Sequence, residues 1–330
     1  MSAPATGLHV GGRLSLARNV LAERPWLVLI GVLFVLVAVI AVVRPGTVGP
    51  TWVANTILFA APLGIVAAGQ TLVMLTGGID LSVAAVMTAA AYVAASESYF
   101  GSWRAVFLAL GVGLLVGVVN GLGVAIFRVQ PLIMTLGMGL VVAGSLLVYQ
   151  QTTNHQGPPA VPDIVRTVGS GKLLDIIPNS AFVWTAIAIL VIAGLRYTGL
   201  GRLIYAVGDN PVAVRLAGAR GWLVLLATYI ICGFLSGVAG LVLVGAINAA
   251  DLSLGDVYLL PSVAAVVIGG TSIYGGHGGY AGSLVGALIL SVLSSLFTLV
   301  DAPDPLKQIL YGAIVVLLAA LYVRTAGDTR

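Results

Sequence analysis

Asp80 is the only charged side chain between Arg44 and Glu97. It lies in Thr76-Gly77-Gly78-Ile79-Asp80-Leu81-Ser82, just after a glycine pair. A lone carboxylate in apolar sequence is a candidate for ion binding, for a substrate path, or for capping the helix that follows it. A few uncharged polar residues join it as candidates for lining a path: Gln70, Ser82, Asn120, Thr135, Asn248, Thr271 and Ser272. Amides and hydroxyls can hydrogen-bond a neutral polar molecule without carrying charge. Carriers driven by protons or sodium need acidic groups within their spans, and only Asp80 is available here. That favours a protein whose energy arrives from elsewhere.

No catalytic constellation accompanies these residues. Gly171-Lys172 has the end of a phosphate-binding loop, but Leu173 follows the lysine and Arg166 occupies the position that needs glycine. Gly276-His277-Gly278-Gly279-Tyr280-Ala281 resembles a dinucleotide fingerprint without the strand and helix that must flank it. His9, His155 and His277 are far apart and lack metal-ligand spacing, so no metal site is expected. The single cysteine, Cys232, excludes an intramolecular disulfide and reads as a small core residue.

The elements that must hold these groups are membrane helices. The chain is 59% hydrophobic and 8% charged, with a mean hydropathy of +1.11, whereas an ordinary soluble domain is about one-quarter charged. Apolar runs of spanning length recur from Trp26 to Val323, which predicts an all-α, polytopic integral membrane protein. Ten transmembrane helices are expected, at 26–43, 53–75, 82–96, 104–127, 131–149, 181–195, 222–246, 258–272, 280–300 and 307–323. The first is read as an uncleaved span, because Arg44-Pro45-Gly46 follows it where a cleavage site would need small residues. Together they form one transmembrane domain over 26–323, with a cytoplasmic segment at 1–25 and a cytoplasmic tail at 324–330.

An even number of spans places both termini on one side. With the termini inside, ten of the 15 Lys and Arg residues are cytoplasmic. Only Arg44, Arg104, Arg166, Lys172 and Lys307 fall outside or at the outer boundary, so the charges predict N-in/C-in. Scattered in this way, they do not form a nucleic-acid surface.

Two loops then stand out. The external loop 150–180 is polar and contains Pro158, Pro159 and Pro162; it is either a connector or a docking surface. The cytoplasmic loop 196–221 encodes a short helix. Asp209 or Asn210 can cap its start, Pro211 suits its first position, and Gly218 suits the left-handed residue beyond its end. This helix of about two turns carries Val212, Arg215 and Leu216. It is too short to cross a bilayer, so it either lies on the surface or inserts into a cytoplasmic partner. Glycines spaced by four, at Gly113/Gly117/Gly121, Gly233/Gly237 and Gly282/Gly286, predict close helix crossings. The glycine-rich segments around Asp80 and at Gly269–Gly279 suggest an internal duplication of the kind that brackets a transporter's central path.

Taken in order, five motifs resemble the permease subunit of ribose-type monosaccharide ABC importers. They are Leu75–Ser82, Gly117–Gly121, Gln130–Gly137, Gly208–Gly218 and Val267–Gly276, and the likeness covers roughly residues 50 to 323. It implies an assembly of two permease subunits, identical or paralogous, with cytoplasmic ATP-binding subunits and an extracytoplasmic sugar-binding protein, in the bacterial inner membrane. ATP and magnesium would belong to the ATPase, and this chain would bind no cofactor and catalyse nothing. By the same resemblance Asp209, Asn210, Pro211, Arg215, Leu216 and Gly218 form a coupling helix seated on the ATPase. The chain departs from the sugar-permease pattern at Ala84, usually glycine, and at Leu132, usually phenylalanine. Both bear on substrate, since related permeases carry branched-chain amino acids, nucleosides or a furanone signal. The Gly-Ile-Asp-Leu-Ser form is more similar to the sugar branch. A stand-alone ion-coupled carrier or channel is the competing class.

Overall fold

The structure, a computed structural model, describes residues 26–152, 160–174 and 176–327. Expectations resting on residues 1–25, 153–159, 175 and 328–330 lie outside these, among them the cytoplasmic N-terminal segment, His9, His155, Pro158 and Pro159. In chain order the helices are α1 (Trp26–Val43), α2 (Pro50–Leu75), α3 (Val83–Glu97), α4 (Ser102–Ala125), α5 (Pro131–Thr152), α6 (Asp163–Gly169) and α7 (Asn179–Tyr197). They continue as α8 (Gly199–Asp209), α9 (Pro211–Leu216), α10 (Gly221–Ile247), α11 (Leu259–Ile268), α12 (Tyr280–Leu299) and α13 (Asp304–Gly327). Among the described residues α2, α4, α5, α7, α10 and α12 are long and apolar enough to cross a membrane.

Every segment expected to span is helical, and three differences are informative. First, α11 stops at Ile268 rather than 272. Gly270, at φ +83°, turns the chain so that its amide and that of Thr271 close back on Val267 O and Val266 O, at 2.9 and 3.1 Å. Second, the loop expected to be external contains regular structure. It holds α6 and a two-stranded antiparallel ribbon, β1 (Lys172–Leu173) with β2 (Ile177–Pro178). Third, the loop 196–221 contains α8 ahead of the expected short helix. Thr198 caps α8 by accepting from the Gly201 amide at 3.1 Å, and Gly201, Ile204 and Val207 form its buried face.

The core lies along α2 and α10. From Ala60 to Leu75, α2 is buried throughout, enclosed by α7, α10, α11 and α12. Lipid is as apolar as leucine, so burial alone does not hold such helices together; dispersion does, at about 0.1–0.2 kcal/mol per atom pair. The glycine spacings supply the close approach that dispersion requires. A methyl group on Gly113 would overlap the Gly233 carbonyl, and one on Gly233 would overlap the Gly113 carbonyl. Gly117 sits likewise against the Tyr229 carbonyl. Gly282 and Gly286 of α12 meet the Gly269 and Ala265 carbonyls at the end of α11 and just beyond it. In α2, the turn loosened by Pro62 is tied from outside. Trp184 Nε1 donates to the Tyr280 hydroxyl at 2.7 Å, which donates to Gly64 O at 2.7 Å.

Candidate functional site

Thr76–Ser82 does not lead directly outward from α2. Gly77, at φ +80°, reverses the chain, and residues 79–82 run back irregularly beside the last turns of α2 before α3 begins. Irregular backbone buried among apolar helices is tolerated only when protein satisfies its polar groups. Here the accounting is nearly complete. The Gln70 amide, oriented by its partners, donates to Asp80 O at 3.1 Å and accepts from Asp80 N at 3.3 Å. The Leu81 amide donates to Thr135 Oγ1 at 3.0 Å, and that hydroxyl lies 3.2 Å from Ile79 O. The Ser82 amide donates to Asp80 Oδ1 at 2.9 Å. The Ser82 hydroxyl also donates to Oδ1, at 2.6 Å, and receives Asn120 Nδ2 at 2.9 Å.

Five of the candidate path residues, Gln70, Asp80, Ser82, Asn120 and Thr135, therefore converge on one buried node, each at most 1% exposed. Asp80 Oδ1 thus lies at the entry to α3, on the amide of its N-cap residue Ser82. The node is a fastening between α2, α3, α4 and α5 and contains no nucleophile–base pair. Asp80 Oδ2, Asn120 Oδ1 and the Tyr229 hydroxyl form no hydrogen bond among the described residues, and the weakly donating Cys232 thiol lies beside the carboxylate. Sequence reasoning missed Tyr229 and passed over Cys232. Both stand in the apolar run of α10, where only the register against Asp80 marks them.

The other three candidates lie elsewhere. Asn248 ends α10 in the left-handed conformation, φ 55°, with its amide on Val244 O at 2.8 Å. Thr271 and Ser272 shape the turn after α11, accepting from the Gly279 amide at 3.2 Å and the Tyr274 amide at 3.2 Å. That turn nevertheless touches the Asp80 segment. The Gly276 amide donates to Leu75 O at 3.0 Å, and a Cβ on Gly275 would lie 2.9 Å from Gly77 N and 3.0 Å from Gly208 Cα. The two glycine-rich segments thus meet at the end of α8.

Beyond Gly208 the chain forms α9. Of the two residues able to cap it, Asn210 does so, accepting from the Val212 and Ala213 amides at 3.1 and 2.9 Å. Asp209 instead ends α8. Pro211 opens the helix and Gly218, at φ +77°, closes it. Val214 anchors α9 inward, while Leu216 is 83% exposed and Val212 and Arg215 also face outward. At six residues, α9 is shorter than the two turns expected.

The family described as branched-chain amino acid transport system / permease component matches residues 52–319. The chain belongs to this permease family. It is a multi-pass membrane protein, the permease component of a transport system. The permease is 35% identical over 315 residues to the ribose import permease of Escherichia coli (strain K12), covering 94% of this chain and 97% of that one. It is 34% identical over 271 residues to the fructose import permease of Rhizobium meliloti, covering 79% and 74%. The galactofuranose transporter permease of Escherichia coli (strain K12) is 35% identical over 277 residues, covering 81% and 77%. Among solved structures the permease has no significant match.

Proposed function

We propose that this permease is the membrane subunit of an ATP-driven importer that passes a monosaccharide from an external binding protein to the cytoplasm by alternating access. Relatives named for ribose, fructose and galactofuranose, each matched over most of its length, support the substrate class. In this reading ten helices cross the inner membrane with both termini inside, and segments 1–25 and 324–330 are cytoplasmic. A second permease subunit completes the pathway. Nucleotide and magnesium bind the partner ATPase alone.

The observation that carries the coupling is α9, capped at both ends, anchored by Val214 and presenting Leu216. Val212 and Leu216, one turn apart and both exposed, give this short helix an apolar face that suits a cleft in a partner. ATP binding and hydrolysis would move α9, and α8 would carry that motion to the turn where Leu75, Gly208 and Gly276 meet. The Asp80 node would then act as the fixed pivot rather than as an ion site.

Reconstitution tests the reading. The permease, with its ATPase and binding protein in proteoliposomes, should hydrolyse ATP faster with sugar-loaded binding protein and accumulate that sugar. Uptake by this chain alone, driven by an ion gradient and indifferent to ATP, would instead establish a secondary carrier. Because the family description names branched-chain amino acids, L-leucine belongs in the same assay; leucine-driven stimulation in place of sugar would overturn the substrate class.

A further inference from the structure

Away from the Asp80 node, α2, α11, α12 and α13 line a half-open cavity of about 820 Å³ near the turns that join α1 to α2 and α12 to α13. Small-molecule sites typically measure about 300–1,000 Å³. One face of α2 lines it with Trp52, Asn55, Thr56 and Phe59, at helical spacing. Opposite, α12 presents Ser291, Ser294, Ser295 and Thr298, again one turn apart. Tyr258 and Tyr311 add aromatic surface, Gln308 adds a second amide, and Asp256 and Lys307 contribute one charge of each sign.

The hydrogen bonds define what this lining offers. Ser291 and Thr298 donate to Ala287 O and Ser294 O of their own helix, at 2.9 and 3.0 Å, which leaves the Ser291 oxygen as an acceptor. Ser295 Oγ accepts from Trp52 Nε1 at 2.8 Å, linking the two walls. Lys307 Nζ reaches Thr298 Oγ1 at 3.4 Å. A ligand here meets hydroxyl acceptors, amides that both donate and accept, aromatic faces, and a larger aliphatic wall that includes Leu63, Leu259, Leu260 and Leu290. A polyol needs this combination, because its O–H groups both donate and accept while its C–H faces pack on rings. An acyl chain would offer the Asn55 and Gln308 amides no hydrogen-bond partner.

We infer that this cavity is the outer subsite where the permease receives a neutral pentose or hexose; the assignment rests on the importer reading and extends it to named residues. None of the path candidates read from the sequence lines it.

The test uses the full-length permease in nanodiscs. Cys232 is buried, so a thiol introduced by Ser294→Cys can be followed with a membrane-impermeant maleimide. D-ribose or D-fructose at ten times its dissociation constant should slow modification by about tenfold. A control thiol from Val48→Cys, on the turn after α1, should be unaffected. Ser291→Cys serves as a second reporter should Ser294→Cys not fold. No protection by either sugar, equal protection by L-leucine, or protection by added phospholipid alone would each overturn the assignment. Sugar-stimulated ATP hydrolysis in the complete transporter without protection removes the cavity but spares the importer reading. Protection without stimulation does the reverse.

Discussion

Thr135→Val isolates the cost of leaving the returning backbone unpaired. Thr135 is 0% exposed, and valine has the same branching, so the change removes a hydroxyl and little packing. The oxygen lost is the one that accepts from the Leu81 amide at 3.0 Å. The Pro131 carbonyl, which also lies 3.0 Å from it, belongs to the helix and keeps its helical partner. Two magnitudes compete. A side-chain hydrogen bond between membrane helices contributes about 0.6 kcal/mol on average, because the unfolded chain in lipid finds other partners. An orphaned, enclosed backbone donor costs about 1–3 kcal/mol. The Leu81 amide has no local substitute in the irregular stretch, so the larger figure should govern. We expect Thr135→Val to destabilise the permease by about 1–3 kcal/mol. Thr135→Ser, which keeps the oxygen and loses one methyl, should cost below about 1 kcal/mol. Equilibrium unfolding in mixed micelles measures both. A valine variant as stable as wild type, or no worse than the serine variant, refutes the claim that Thr135 holds this segment.

Asp80→Asn keeps an oxygen for the Ser82 amide, so uptake by the reconstituted transporter should stay within about threefold of wild type, whereas Asp80→Leu removes the cap at about 1 kcal/mol and should abolish most transport; equal loss in both would make the charge essential. Gly117→Val places a branched side chain against the Tyr229 carbonyl, and its cost of about 1–3 kcal/mol or more should appear as lost monodisperse protein on size-exclusion chromatography. Leu216→Ala changes a side chain that is 83% exposed, so the melting temperature should not move while sugar-coupled ATP hydrolysis falls; unchanged coupling removes the role assigned to α9. Asn210→Ala leaves the Val212 and Ala213 amides uncapped, and faster amide exchange confined to residues 211–217 should report about 0.5–2 kcal/mol of lost local stability.

The helices were legible because apolar runs bounded by glycine, proline and arginine carry their length openly. Pro211 and Gly218 similarly gave both ends of α9. The glycine spacings of α4, α10 and α12 foretold crossings that the structure realises at Gly113, Gly233 and Gly282. The returning path of residues 79–82 was not legible. Its hydrogen bonds come from Gln70, Asn120 and Thr135, and nothing local in the sequence records those distances. Helix α8 was hidden for another reason: Gly199 and Gly201 lower its propensity, and only Thr198 with the 201, 204, 207 spacing betrays it. The cavity between α2 and α12 escaped notice because its serines read as ordinary packing residues along a single helix.

At the corner where Leu75, Gly208 and Gly276 meet, three main chains touch with no side chain between them, and a methyl group on Gly208 would strike the Leu75 carbonyl. Side chains would give such a corner compliance, since rotamers can yield before backbone moves. Bare backbone has no slack of that kind. A displacement of α8 must therefore pass to the end of α2 and to the turn after α11 together, like a linkage without backlash. The end of α2 and the turn after α11 would then shift in a fixed ratio, so neither could follow α8 alone.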